Sequence, residues 1–352
     1  VAKPLSPQWK TSNKEIARMA TKQQFLDFLY EIEPSTSTVS ACSSAHTNLR
    51  DKLSAHETFK EVHVSTFLSG SYVRKTAIRP QTRDGELRRP DVDIIVITSH
   101  TTADSPETVI DQLYNALSDG GYKNLRKNRR SVSVLLATVD MDVVPIIEAP
   151  DGEAHLIPDK ELNEWLRTNP RGHTQWATDV NKEAGERFKP MVKLLKWWRR
   201  EHLADLKRPK GFILEALVAK HMSYSETSYE ELFAKLLRTI KSEYALTVAL
   251  HQVPYIEDPA VAGNNVFSNV EPEEFKQFYD MICKHVGLIA DAQAETDGAK
   301  QLAKWREIFG TFFPAAGTAA KAANENLLRP AAAAGLSFPA KPIIPNKPQG
   351  FA

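Results

Sequence analysis

Apolar positions recur at helical spacing over about residues 13–30, with Ile16, Met19, Ala20, Phe25, Leu26 and Leu29 along the stripe. Pro34 ends that segment, and residues 35–38 supply N-cap chemistry for a second helix. Its stripe (Val39, Cys42, Leu49, Leu53) steps by three, seven and four. The pattern then changes. Val62, Val64, Phe67 and Leu68 lead into Gly70-Ser71, which reads as a strand ending in a tight turn. The runs Asp91–Thr98 (DVDIIVIT), 132–136 and 140–147 are β-branched strands. Between them, 106–117 reads as a helix with Val109, Ile110, Leu113 and Leu117 on one face.

From about residue 160 the pattern predicts mainly helix, over 188–203, 211–222, 229–240, 272–289 and 299–309. Trp197 and Trp198 are adjacent, so they project about 100° apart and are not expected both to face the core fully. Beyond about Leu328, Pro339, Pro342, Pro345 and Pro348 recur every third residue, the period of polyproline II. The expected organisation is α+β. A lobe with a mixed sheet and N-terminal helices covers 1–160, a helical lobe closing a nucleotide cleft covers 161–328, and a Pro-rich tail covers 329–352.

Composition narrows the classes. Of 352 residues 42% are apolar and 25% charged, which suits a folded chain, and a net charge of +1 excludes bulk nucleic-acid coating. Cys42 and Cys283 are too few for a disulfide scaffold, lack zinc spacing, and read as small buried hydrophobes. No apolar run approaches the ~20 residues of a membrane span, and no signal-peptide core is present, so no membrane partner and a cytoplasmic location are expected.

The chemistry concentrates in the strands. Asp91 and Asp93 are one residue apart on a strand, so both carboxylates face the same side while Val92 and Ile94 face the packed side. Two such carboxylates repel each other unless a cation lies between them, and hard oxygen donors favour Mg²⁺ or Mn²⁺. Asp142, in MDVVP, can complete a three-carboxylate cluster able to hold two ions. Asp140 faces the same side and ranks second for that place. The Gly70-Ser71 turn offers backbone N–H groups and a hydroxyl to phosphate, and a basic connection (Arg74, Lys75, Arg79, Arg83, Arg88, Arg89) joins it to the aspartates. This pattern predicts a metal-dependent nucleotidyltransferase. A second basic cluster (Lys123, Arg126, Lys127, Arg129, Arg130) reads as a solvated turn rather than an RNA or phosphate site. His173, His221 and His251 have no motif partners.

GSYVRKTAI, DVDIIV and MDVVP, followed by KLLKWWRR (193–200) and KGFILEAL (210–217), resemble the nucleotidyltransferases related to oligoadenylate synthase and cyclic GMP-AMP synthase. Within these the pattern is most similar to the bacterial CD-NTases, including the clade that makes cyclic trinucleotides. The resemblance runs over about residues 15–320. It implies a bilobed polymerase-β-like fold and synthesis of a cyclic di- or trinucleotide from ATP, with or without GTP or other NTPs, in CBASS-type antiphage signalling. It further implies that Ser71 and Lys196 contact the donor triphosphate and that Phe212 stacks on its base. Relatives often carry Ser or Gln where Gly211 stands, a contact that Lys210 could replace, and the segment 81–89 is longer than usual, a surface loop or a lid. The zinc insertion of the DNA sensor is absent, so activation by DNA is not expected. The chain is expected to act as a monomer, with a regulatory or conjugating protein on its C-terminal tail. The rival readings are a transferase of single nucleotides to RNA, protein or a small molecule, and a catalytically silent nucleotide-binding module.

Overall fold

The computed structural model describes residues 13–316, apart from 84, 85, 88 and 153. The Pro-rich tail, the partner expected on it, Arg88 and the side chains of Ile16, Met19, Ala20 and Arg83 lie outside the described residues. In chain order the first elements are α1 (Asn13–Glu31), α2 (Thr36–Ala55), β1 (His63–Ser69), α3 (Gly70–Val73), β2 (Thr82–Arg83), β3 (Glu86–Leu87) and β4 (Asp91–Thr98). There follow α4 (Pro106–Asp119), β5 (Leu125–Lys127), β6 (Val132–Leu135), β7 (Asp140–Glu148), β8 (His155–Asp159), β9 (Glu164–Thr168) and α5 (Pro170–Glu183). The rest is helical: α6 (Phe188–His202), α7 (Phe212–His221), α8 (Tyr229–Glu243), α9 (Ala245–Ala249), α10 (Pro272–Ala294) and α11 (Gly298–Phe309).

The elements group into two compact units. One comprises 33–183 with 255–268, and the other 13–32, 184–254 and 269–316. Thus α1 groups with the later helices, and α5 with the sheet, rather than dividing linearly near 160.

The sheet unit has seven strands in the path β1-β4-β7-β6-β5, with β8 pairing β7 and β9 pairing β8. The β4–β7 pair is parallel and the other pairs are antiparallel, so the sheet is mixed, as the order of elements predicts. Alternation sends Val92, Ile94 and Val96 of β4 to one face, where they pack with Leu49 and Leu53 of α2 and Ile110, Leu113 and Leu117 of α4. The opposite face begins with Asp91 and Asp93 and continues into an apolar patch of Ile95, Ile97 and Ile146. Helix therefore starts later than expected: the β8–β9 hairpin runs to Thr168, and its pairing with β7 depends on contacts that periodicity does not reveal. The long segment 81–89 holds the two-residue strands β2 and β3, which pair antiparallel.

The helical unit is built on aromatic side chains. Phe25, Trp305 and Phe313 meet edge-on or tilted, with Phe25 and Trp305 centroids 5.0 Å apart. Against expectation, Trp197 and Trp198 are both fully buried. The cause is that α6 is enclosed on almost every side. Trp197 meets Phe28 and donates its indole N–H to the Phe309 carbonyl, while Trp198 meets Phe278 and donates to Nδ1 of His285. Cys42 is buried as expected, whereas Cys283 on α10 is only half-buried. No helix among the described residues is long and apolar enough to cross a membrane.

Candidate active site

Strand register assembles the site. In the parallel β4–β7 pair Asp93 lies opposite Asp142, and Asp91 opposite Asp140. Ser69 pairs with Asp93 on one side, and Ser133 with Asp142 on the other. Directly paired residues share a face, so Ser69, Asp93, Asp142 and Ser133 form one row across four strands spaced about 4.8 Å apart. That spacing suits two carboxylates serving one cation.

The turn after β1 closes over this row. Gly70 has φ +72°, and a β-carbon there would sit 1.6 Å from Oδ2 of Asp93. The Asp93 carboxylate thus occupies the space that any other residue at position 70 would fill. Ser71 follows in the single helical turn α3, which is held by Thr76 N–H on the Ser71 carbonyl (2.9 Å) and by the Tyr72 hydroxyl on the Val39 carbonyl (2.9 Å). Gly70→Ala should fold but lower synthesis by about 10- to 100-fold, since a left-handed φ costs an alanine about 1–2 kcal/mol and the methyl displaces Asp93. Steady-state rates beside a thermal melt check it; a rate within twofold of wild type would contradict this geometry.

The two rivals for the third carboxylate differ in their surroundings. Asp140 accepts from Arg89 at 3.0 Å, so a guanidinium already neutralises it. Asp142 is held by neutral donors alone among the contacts described: Asn128 Nδ2 at 3.1 Å, Ser131 Oγ at 2.8 Å and Ser133 Oγ at 3.1 Å, all to Oδ1. Its charge remains available to an ion. Among the described residues no three His, Cys, Asp or Glu groups already converge at metal-binding distance. The donor set nevertheless fits a hard cation: Asp93 and Asp142 adjoin, Asp91 shares their face, and the absent Gly70 side chain leaves room for the Asp93 carboxylate in that row.

The other expected nucleotide contacts belong to the helical unit. Lys196 is buried and its ammonium lies 2.8 Å from Oε1 of Glu215, itself fully buried on α7. Phe212 is the first residue of α7 and half-buried, while Lys210 is exposed. Sequence reasoning missed Glu215, although an acid inside FILEALVA signals a buried partner.

The second basic cluster is solvated only in part: Lys123, Arg126 and Lys127 are exposed as expected, whereas Arg129 and Arg130 are half-buried. Lys127 pairs with Asp111 at 2.7 Å, and Arg129 and Arg130 both reach Asp159, at 2.7 and 2.8 Å. Asp159 is fully buried. Burial raises its pKa, but the two arginines and the Leu162 N–H outweigh that and bring it down to about 2. His173 is also partnered, 2.7 Å from Asp258, and lines a cavity of about 170 Å³ that Gly70 and Asp93 share.

Comparison with known proteins agrees with this geometry. Residues 19–181 match the Second Messenger Oligonucleotide or Dinucleotide Synthetase (SMODS) domain. The chain is 56% identical over 339 residues to a cyclic AMP-AMP-AMP synthase of Acinetobacter sp., covering 95% of this chain and 98% of that protein. It is 28% identical over 395 residues to a cyclic AMP-AMP-GMP synthase of Enterobacter hormaechei, covering 95% and 100%. The fold is that of E. coli MS115-1 CdnC, solved with ATP: TM-score 0.65 at 19% identity, covering 83% of this chain and 98% of that one. With a sheet that sets carboxylates side by side and a near-full-length relative at this identity, the chain belongs to the bacterial CD-NTases, nucleotidyltransferases that synthesise cyclic oligonucleotide second messengers.

Proposed function

We propose that this chain condenses ATP alone into cyclic AMP-AMP-AMP, releasing one pyrophosphate per bond, within CBASS-type antiphage signalling. The observation that carries this reading is the 56% identity, across almost the whole of both chains, to a cyclic AMP-AMP-AMP synthase. In this reading Asp91, Asp93 and Asp142 hold two Mg²⁺ or Mn²⁺ ions, a role that their shared face and register support. Ions held there would supply charge that makes an attacking ribose hydroxyl more acidic and offsets that of the triphosphate and pyrophosphate. Ser71, on the turn beside Asp93, contacts donor phosphate. Lys196, Lys210 and Phe212 are nucleotide contacts by resemblance, with Glu215 fixing the Lys196 ammonium.

The test is incubation with each NTP and with mixtures, in Mg²⁺ and in Mn²⁺, followed by phosphatase and mass analysis. ATP alone should give a phosphatase-resistant ring of three adenylates, and added GTP should leave the product unchanged. A guanylate in the ring would overturn the base assignment, and a phosphatase-sensitive product would mean linear chains.

A further inference from the structure

We infer that the β5–β6 turn is a positioning device for Asp142: Asn128, Ser131 and Ser133 fix one carboxylate oxygen so that the other faces an ion. The inference rests on the proposed role of Asp142 as an ion ligand. Asn128 N–H closes the turn on the Ser131 carbonyl at 2.8 Å. Its two corner residues then point at one carboxylate. Asn128 Nδ2 donates to Oδ1 at 3.1 Å, and Ser131 Oγ reaches Oδ1 at 2.8 Å and Oδ2 at 2.9 Å. Ser133, opposite Asp142 in the sheet, adds a third donor to Oδ1 at 3.1 Å. Asn128 Nδ2 also lies 3.1 Å from Ser131 Oγ and 2.6 Å from Ser133 Oγ, so its two hydrogens are shared among these hydroxyls and Asp142, which ties the three donors together.

The same turn is clamped at its tip. Its central residues, Arg129 and Arg130, grip the buried Asp159 at the end of β8, and the Arg129 carbonyl accepts from Lys160 N–H at 3.1 Å. A four-residue turn thus spends its middle on anchorage and its corners on Asp142. Ser131 and Ser133 are buried, so water does not compete for these bonds. Neutral donors orient a carboxylate without cancelling its charge, whereas a guanidinium, as on Asp140, competes with a cation. Three donors converge on Oδ1 and one of them also touches Oδ2, so Oδ2 is the oxygen presented outward. Outer partners of ion ligands typically set affinity by about 10–100-fold.

The test is Mn²⁺ binding followed by electron paramagnetic resonance, in full-length enzyme with a non-hydrolysable ATP analogue. Wild type is compared with Asn128→Ala, Ser133→Ala, Ser133→Thr and Asp142→Asn, each checked by thermal melt. Asn128→Ala and Ser133→Ala should each weaken Mn²⁺ about tenfold, and Ser133→Thr should restore binding. The KM for ATP at saturating metal should not move. Either folded alanine variant is decisive alone. Wild-type Mn²⁺ affinity in these variants, alongside lost binding in Asp142→Asn, would overturn the positioning role and leave Asp142 a ligand. Wild-type affinity in Asp142→Asn would instead overturn the ligand assignment on which the inference rests.

Discussion

Replacing Asp93 by Asn should lower product formation by at least about a thousand-fold while leaving the fold intact. The amide has the shape of the carboxylate, and Asp93 is only partly buried, so packing is conserved. What changes is charge. Asp93 stands beside Asp142 in the strand register, and its carboxylate fills the space left by the absent side chain of Gly70. Under the proposed ion-binding role, losing one of two carboxylates would remove the place where a cation offsets their mutual repulsion. The apoprotein should therefore be no less stable, or slightly more so. If the ions supply the acidity of the attacking hydroxyl, their loss costs about 4 kcal/mol or more of barrier, which is the thousand-fold. Asp140→Asn is the contrasting variant: Asp140 already has Arg89, and its loss should change the rate by no more than about threefold. Initial rates from chromatographic product quantification, with melting curves, decide both. Synthesis by Asp93→Asn within tenfold of wild type would remove it from the catalytic set, and a collapse in Asp140→Asn would exchange the two rivals.

Much of this site was readable along the chain because alternation is local. DVDIIV states which residues share a face, and the structure places Val92 and Ile94 in the core and the aspartates opposite. The resemblance of the motifs supplied the family. What could not be read was register. Nothing within β4 or β7 says that Asp93 should meet Asp142 rather than Asp140, because strand pairing is fixed by contacts across 49 positions of sequence. The same limit hid the Asp142 donors, which are contributed by a turn and a neighbouring strand, and the hairpin β8–β9. Trp197 and Trp198 show a different limit. Helical geometry correctly separates their directions, but burial on both sides depends on α10, α11 and α1 packing around α6, which no local period announces.

Glu215→Ala should destabilise the helical unit by about 3–5 kcal/mol, although position 215 looks from the sequence like one more member of an apolar helix. Glu215 is fully buried and Lys196 nearly so, with 2.8 Å between the charged atoms. Deleting the acid removes the carboxylate paired with a nearly buried ammonium, a state costlier than the absence of both charges. Lys196→Met with Glu215→Leu should consequently recover most of the stability that the single change loses, because volume is kept and no orphan charge remains. Chemical denaturation of the two single variants and the double one measures the coupling. A Glu215→Ala loss below about 1 kcal/mol would mean the pair is solvated and contributes little. The same double variant tests the nucleotide role of Lys196 apart from its role in folding. If the ammonium also meets the donor triphosphate, the refolded double variant should show a KM for ATP raised about tenfold or more, since charge-assisted contacts to phosphate are lost while the helix stands. A normal KM in a stable double variant would leave Lys196 and Glu215 as a folding pair, and the triphosphate would need its cation from elsewhere, with exposed Lys210 the next to substitute.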